Sequence, residues 1–165
     1  MSTRILCLDF DGVIHSYKSG WQGVWTIGDP PVPGAIEFIR EMAGEPDEFG
    51  PEARPGPFRV AILSSRSKYP LARTRMKLWL LKHGLEPGYF HDGLVYFPLF
   101  KPAAHLTIDD RAIQFKGVWP RLVDVLQFRA WDAEVIRSGK GLDSLHESGI
   151  PCPSWLPQNR DSRVG

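Results

Sequence analysis

The feature that most constrains the fold is a set of short segments, each of strand length and rich in apolar residues, at Ile5–Leu8, Phe58–Leu63, Leu94–Phe97 and Ala104–Ile108. The run Ile5–Leu8 is apolar throughout, which is typical of a strand buried on both faces of a parallel sheet. Helical patterns separate several of the runs. Strands that alternate with helices predict an α/β fold, with a parallel sheet, helices on both of its faces and right-handed crossovers.

Three segments carry helical signals. Apolar residues recur at helical spacing within 34–42. A second helix is predicted to begin at Pro70 and to end at Gly84, since proline suits the first turn and glycine the C-terminal cap. A further helix is predicted over about 120–128.

The segments between and after these elements predict one domain over residues 1–132. Residues 15–33 combine glycines and prolines with aromatic residues, a pattern that favours a hairpin or flap after the first strand. Residues 44–57 are rich in glycine, proline and acidic residues and are predicted to form an exposed loop. Residues 133–165 show no strong periodicity and are predicted to be a partly irregular C-terminal extension.

The formal net charge of +1 implies no strong overall field toward a nucleic acid or a membrane. The charge is nevertheless unevenly distributed, because 59–85 holds seven Lys or Arg residues without an acidic one, whereas 37–52 holds six acidic residues and one basic. The basic stretch is either a solvated helix face or a region that attracts an anionic substrate.

Cysteine usage and hydropathy favour a cytoplasmic protein. Cys7 lies in an apolar run and Cys152 in a proline-rich tail, so a structural disulfide is not expected. No apolar stretch reaches the roughly 18 residues that a membrane span requires. The N-terminus lacks the apolar core of a signal peptide, and we expect no membrane partner.

Polar residues follow three of the four predicted strands. Asp9 and Asp11 follow the first, Ser64 the second, and Asp109 with Asp110 the last. In open parallel sheets, ligands bind outside the carboxyl ends of the strands. Carboxylates that converge there repel one another unless a cation neutralises them, and oxygen ligands beside a phosphate favour Mg²⁺. Lys101, Ser64 and nearby backbone N–H groups suit a phosphate group.

These motifs resemble those of the haloacid dehalogenase (HAD) superfamily. Asp9-Phe10-Asp11-Gly12-Val13 looks like its first motif, Ser64 after Val60-Ala61-Ile62-Leu63 its second, Lys101 its third, and Ile108-Asp109-Asp110 its fourth. The motifs occur in the family's order, and the resemblance covers roughly residues 4–132. It implies a Rossmann-like HAD core.

The resemblance also implies a mechanism. Asp9 is expected to attack phosphorus and form an aspartyl-phosphate, and Asp11 to act as general acid and then as general base. Mg²⁺ is expected to bind the Asp9 carboxylate, the Asp11 main-chain carbonyl and a carboxylate of the fourth motif, either Asp110 or Asp109. Asp11 favours phosphoryl transfer over dehalogenation, because a halide leaves without a proton. Ser64 and Lys101 are expected to hold phosphoryl oxygens.

Four neighbouring residues are candidates for substrate binding: Ser65, Arg66, Gly12 and His15. Each candidate also has a structural interpretation. The aspartates can cap turns or helices, Lys101 can be an ordinary loop lysine, His15 a loop histidine, and Arg66 the partner of a site carboxylate. Trp21 and Trp25 either roof the site or pack the flap, and Arg111 is expected to pair with a neighbouring carboxylate.

The intervals between the motifs are too short for a folded cap domain, so the site is predicted to be open. An open site suits large substrates, such as a protein or a nucleic-acid end, or else oligomerisation that closes the site, and a phosphorylated small molecule is not ranked against a polymer end. The run Asp110-Arg111-Ala112-Ile113 is similar to the 3′-phosphatase domains of polynucleotide kinase-phosphatases. No nucleotide-binding Gly-x-x-x-x-Gly-Lys-Ser/Thr motif of a kinase half is present. The alternatives are a non-catalytic domain that binds Mg²⁺ or a phosphorylated partner, and a phosphotransferase. Oligomeric state and physiological substrate stay open.

Overall fold

The computed structural model describes residues 4–46, 54 and 56–130. Four strands and four α-helices occur in this part of the chain, with a 3-10 helix at Ser65–Lys68. In chain order the elements are β1 (Arg4–Asp9), α1 (Ala35–Ala43), β2 (Phe58–Leu63), α2 (Pro70–Lys82), α3 (Gly88–His91), β3 (Val95–Tyr96), β4 (Leu106–Ile108) and α4 (Leu122–Gln127). Most of the predicted acidic loop, and the whole extension 133–165 with Cys152, lie outside the described residues.

The strands form one parallel sheet in the order β3-β2-β1-β4. In β1, Leu6 pairs with Val60 of β2 on one side and with Leu106 of β4 on the other. The predicted α/β class is therefore confirmed. Because β2 and β4 flank β1, strand order reverses at β1, and this reversal creates a ligand-binding crevice at the carboxyl end of such sheets.

The main core lies on one face of the sheet. Leu6 and Leu8 alternate with Cys7 along β1, and they join a buried cluster with Val60 and Ile62 of β2. The same cluster contains residues of α1 and α2, among them Ile36, Ile39, Met76, Trp79 and Leu80. Crossovers between parallel strands are right-handed in nearly all proteins, and two of them that step in the same direction along the sheet place both helices on one face, which is consistent with this shared core.

The opposite face of the sheet also holds buried residues. Cys7 and Ala61 are buried there but lie outside the main cluster. The connection from β3 back to β4 contains no helix, and α4 has no buried residue. In the described residues α1 and α2 pack on the face of the main core, and helices on both faces of the sheet stay a prediction.

The helix boundaries agree with their sequence signals. Pro70 is the first residue of α2, and Ala72, Met76, Trp79 and Leu80 form its buried face. Gly84 follows the end of α2 with a φ of 100°, a conformation that favours glycine. None of the helices in the described ranges is long and apolar enough to cross a membrane.

Residues 16–30, called the flap loop below, form no hairpin ladder. The loop closes at its base through one antiparallel bridge between His15 and Pro31. The Ser16 N–H donates to the Pro30 carbonyl, and the Val32 N–H donates to the Ile14 carbonyl. Pro30 and Pro31 have no N–H to donate, so regular pairing cannot continue along this side of the loop.

Candidate active site

The carboxyl ends of β1 and β4 bring three aspartates together. Asp9 is the last residue of β1, and Asp109 and Asp110 directly follow β4. Asp9, Asp109 and Asp110 each offer a carboxylate oxygen, and these atoms lie within 4.8 Å of one another. We call this set the acidic cluster. It lies at the point where strand order reverses, where a ligand site is expected in such a sheet.

The acidic cluster is electrostatically costly without a cation. Burial raises the pKa of the Asp9 carboxyl to about 7, and the negative charges of Asp109, Asp110 and Asp11 act in the same direction. The Asp110 side chain is fully buried, with one carboxylate oxygen 3.5 Å from the Arg111 Nε. An all-oxygen donor set of this kind fits a hard cation, although the set does not by itself select one metal.

Gly12 allows Asp110 to approach the first motif. Its φ is 94°, and its N–H donates to the His15 carbonyl over 2.8 Å. A Cβ at this position would lie 2.6 Å from the Asp110 Oδ2, closer than real side chains approach. The absence of a Cβ at Gly12 therefore lets the Asp110 carboxylate pack against the first motif.

The Asp11 carboxylate accepts several hydrogen bonds. His15 Nδ1 lies 3.0 Å from Oδ1, Arg66 Nε donates to Oδ2 over 2.9 Å, and the Ser64 hydroxyl donates to Oδ2 over 3.2 Å. Burial alone would raise the pKa of Asp11. The hydrogen bonds from His15 and Arg66, together with the charge of Arg66, outweigh burial and hold that pKa below its usual range.

Arg66 joins Asp11 to the flap loop. Its side chain is only 1% exposed, and it contacts both Asp11 oxygens. Its Nη1 donates to the carbonyl oxygens of Gly23 (2.8 Å) and Val24 (2.6 Å). The guanidinium is thus engaged with protein groups, and the structure places Arg66 as a partner of a site carboxylate, one of the two roles considered from sequence.

His15 is held in one tautomer by its neighbours. The main-chain N–H of Asp29 donates to Nε2 over 3.2 Å, so Nε2 carries no proton. The proton is therefore on Nδ1, which faces Asp11. His15 is 2% exposed and stacks on Phe10, and its contact with Oδ1 orients the Asp11 carboxylate.

Ser64 and Ser65 occupy different environments after β2. The Ser64 hydroxyl accepts from the Arg66 N–H over 3.1 Å and so caps the 3-10 helix, while it also donates to Asp11. Ser65 is exposed and lines the same cleft as Ser64. Both serines therefore reach the cleft, but the Ser64 hydroxyl already has protein partners.

Lys101 stands apart from the other predicted site residues. It is exposed and is not among the residues that line the cleft. Burial raises the pKa of the Cys7 thiol, and the charge of Lys101 opposes that effect while Asp9 and Asp109 add to it. Lys101 is thus within electrostatic range of the same face of β1 as Asp9, without contacting the acidic cluster.

A cleft of about 490 Å³ opens over these residues. Its lining consists of Asp9, Asp11, Tyr17, Trp21, Ser64, Ser65, Asp109 and Arg111. From the sequence, Trp21 was a candidate to cover the active site and Arg111 was expected to pair with a neighbouring carboxylate. Tyr17 was not a candidate site residue. Tyr17 is an aromatic residue shortly after the first motif in the sequence, and that position was the only sign of a role in the site. Hydrophobic periodicity alone does not show that such a residue lines a cleft.

The structural interpretation of Asp109 also holds in part, because its Oδ1 accepts a hydrogen bond from the Arg111 N–H over 2.8 Å. Asp109 therefore stabilises its own turn and lines the cleft as well.

Comparison of the chain with models of protein families, with curated proteins and with solved structures finds no match.

Proposed function

We propose that the chain is a Mg²⁺-dependent phosphatase of the HAD type that hydrolyses a phosphomonoester through an aspartyl-phosphate on Asp9. The single observation that carries the proposal is the acidic cluster at the carboxyl ends of β1 and β4. The members of the acidic cluster belong to the first and fourth of the motifs that resemble those of the HAD superfamily, and these motifs occur in the family's order. The metal donors that the cluster offers are all oxygen atoms. Bound there, Mg²⁺ would neutralise facing carboxylates and shield Asp9 from the charge of a phosphoryl group.

Asp9 is suited to act as the nucleophile. It ends the central strand β1, lines the cleft and faces the other two members of the acidic cluster. An anionic carboxylate attacks phosphorus far better than a protonated one. The raised pKa of Asp9 implies that its reactive form is only partly populated near neutral pH until a cation joins the acidic cluster.

Asp11 is suited to act as the general base that activates water against the aspartyl-phosphate. Its contacts with Arg66 and His15 favour the ionised form, which accepts a proton. The same contacts disfavour the protonated form of Asp11. Asp11 must be protonated to donate a proton to a poor leaving group while the aspartyl-phosphate forms. Phosphate esters with stable leaving groups are therefore expected to react fastest.

The cleft supports an open site. Between Asp11 and Ser64, and between Ser64 and Lys101, the described residues form only α1, α2, α3, β2, β3, the 3-10 helix and loops. A nucleotide or a nucleic-acid 3′-phosphate remains a candidate substrate beside other small phosphate esters. Two cations of the basic stretch, Arg66 and Arg75, donate to carbonyl oxygens of the flap loop and do not line the cleft.

The contacts of Asp11 favour one second candidate, a non-catalytic domain that binds Mg²⁺ or a phosphorylated partner. With both carboxylate oxygens accepting hydrogen bonds from Arg66, Asp11 acts in this state as a structural anion. In that case the acidic cluster would bind a cation without turnover. Activity and metal binding therefore need to be measured on the same protein.

Hydrolysis of p-nitrophenyl phosphate, with and without Mg²⁺, tests the proposal beside the variants Asp9→Asn and Glu41→Gln. We expect activity only with Mg²⁺ and a loss of about 1,000-fold or more in kcat for Asp9→Asn, since nucleophile and general base act as a unit. Glu41→Gln also removes one exposed carboxylate, but on α1 and outside the cleft, so it should match the wild type. Wild-type inactivity across a broad phosphate panel, with Mg²⁺ binding retained, would favour the binding domain.

A further inference from the structure

One wall of the cleft is aromatic and cationic, and the proposed phosphatase chemistry does not use it. Tyr17, Trp21 and Arg111 line the cleft together with the acidic cluster residues Asp9 and Asp109. The Trp21 side chain is 50% exposed, so part of its indole ring is accessible to a ligand in the cleft. The cleft therefore offers a carboxylate end and an aromatic surface within one volume.

Trp21 is held in place although it is half exposed. The Arg66 guanidinium lies over its indole ring at 4.5 Å from the centroid. Arg66 is itself buried and binds the Gly23 and Val24 carbonyls, which belong to the same flap loop as Trp21. A rigid aromatic surface loses little conformational entropy when a ligand stacks on it, so this arrangement is prepared for binding.

Arg111 and Tyr17 form the neighbouring part of the wall. The Arg111 guanidinium lies 5.6 Å from the Tyr17 ring centroid, and its side chain is 59% exposed. The backbone of Tyr17 has a φ of 55°, the only positive φ of a non-glycine residue in the described chain. Such a conformation is strained for a residue with a Cβ, so the surrounding contacts must hold it in place.

We propose that the cleft binds phosphate esters that carry a planar ring, with the ring stacked on Trp21 and the phosphate at the acidic cluster. The inference rests on the proposed function and names its substrate class. A cleft of about 490 Å³ is within the size range of small-molecule sites and accommodates a mononucleotide. Arg111 supplies a cation at the rim, close to Asp110, where it can approach an anionic ligand.

The test compares substrates with and without a ring in four proteins: wild type, Trp21→Ala, Trp21→Phe and Trp25→Ala. The substrates are adenosine monophosphate, phenyl phosphate and glycerol phosphate. For ring-bearing substrates, Trp21→Ala should lower kcat/KM by about 10-fold or more, as expected for the loss of one stacking surface, while Trp21→Phe should retain most of it. The loss should appear mainly in KM and should be much smaller for glycerol phosphate.

Trp25→Ala is the matched control. Trp25 belongs to the same flap loop and is 44% exposed, but it packs against Tyr69 and Arg75 and does not line the cleft. It should behave as the wild type with every substrate. A dependence on Trp21 for both ring-bearing substrates means that any planar ring suffices, whereas a dependence for adenosine monophosphate alone identifies a nucleobase.

Binding separates this inference from the proposed function. Calorimetric titration of adenosine monophosphate into the Asp9→Asn protein with Mg²⁺ needs no turnover, and the additional change Trp21→Ala should weaken binding by about 10-fold or more. If the wild type hydrolyses nothing but this difference in affinity is found, the phosphatase proposal fails and the ring-binding cleft stands. Equal affinities, or equal effects of Trp21→Ala on ring-bearing and ring-free ligands, would overturn the inference.

Discussion

Gly12 shows how a single missing Cβ sets the geometry of the acidic cluster. Its φ of 94° and its close approach to Asp110 both require glycine. We expect Gly12→Ala to lower the free energy of unfolding by about 2 kcal/mol or more, because backbone strain and a clash with Asp110 add together. It should also weaken Mg²⁺ binding, since Asp110 must move.

The control for this prediction is Gly20→Ala. Gly20 also has a positive φ, of 70°, but nothing lies within 4 Å of the position of its Cβ. The variant Gly20→Ala should therefore lose stability through backbone strain alone and keep its affinity for Mg²⁺. Denaturant titration and calorimetry measure the two quantities, and equal Mg²⁺ affinities in the two variants would contradict the role assigned to Gly12.

The pKa of Asp9 predicts an unusual pH dependence of stability in the metal-free protein. That pKa is about 7 in the folded chain, against an ordinary value of 3.8. Between these values the folded state retains a proton that the unfolded state has released, so the free energy of unfolding falls as pH rises from about 4 to about 7. Asp11 has a lowered pKa and acts oppositely, with stability that is lost as pH falls below its ordinary value.

Denaturant titration in a chelator at pH 5 and at pH 7.5 measures this effect as the difference between wild type and Asp9→Asn. The stability of Asp9→Asn relative to wild type should be greater at pH 7.5 than at pH 5, because the amide does not ionise. Mg²⁺ should stabilise the wild type most at the higher pH. If the difference in the free energy of unfolding between wild type and Asp9→Asn were the same at both pH values, the pKa of Asp9 would not be raised in the folded chain.

At the scale of elements, Arg66 links the 3-10 helix, the first motif and the flap loop. Replacement by methionine would leave the largely buried Asp11 without its cation and would release the Gly23 and Val24 carbonyls. Removal of one partner of a buried ion pair costs about 3–5 kcal/mol. We expect Arg66→Met to show that loss, together with faster hydrogen exchange in residues 16–30.

Arg75→Met is the comparison for Arg66→Met. Arg75 also donates to a flap-loop carbonyl, that of Trp25, but at an exposed position. Its loss should cost about 1 kcal/mol or less and leave exchange near Asp11 unchanged. If the two variants were equally stable, the buried contacts of Arg66 would not be what holds the flap loop.

The elements also show what a sequence can and cannot predict. The pattern predicted β2 within its observed bounds and the buried face of α2, because apolar spacing reflects burial directly. It predicted a hairpin or flap after β1, and proline chemistry there allows only one bridge. That α1 and α2 pack on the same face depends on crossover direction, which periodicity does not encode.

For the site, motif spacing predicted which strand ends carry carboxylates, and parallel topology then brought Asp9, Asp109 and Asp110 together. The contacts of Arg66 with the flap loop were not predictable, because residues 43 positions apart in sequence carry no local signal of their contact. The place of Lys101 outside the cleft likewise depends on the path of an irregular loop, for which no periodic pattern exists.

At the scale of the whole molecule, topology and chemistry coincide. Strand order reverses at β1, and the residues that follow β1, β2 and β4 line one cleft at that edge of the sheet. The flap loop contributes the opposite wall through Tyr17 and Trp21. One edge of one sheet thus holds an acidic cluster that could hold a cation, with an aromatic surface beside it.

The most direct test of the central claim is to look for phosphate on Asp9 itself. The protein is mixed with Mg²⁺ and p-nitrophenyl phosphate, quenched in acid within the first turnover and digested, and the peptide that contains Asp9 is examined by mass spectrometry. We predict a phosphoryl group on Asp9 that is labile to hydroxylamine, absent without Mg²⁺ and absent in Asp9→Asn. Phosphatase activity with no phosphoryl group on Asp9, or with one on another residue, would contradict the account.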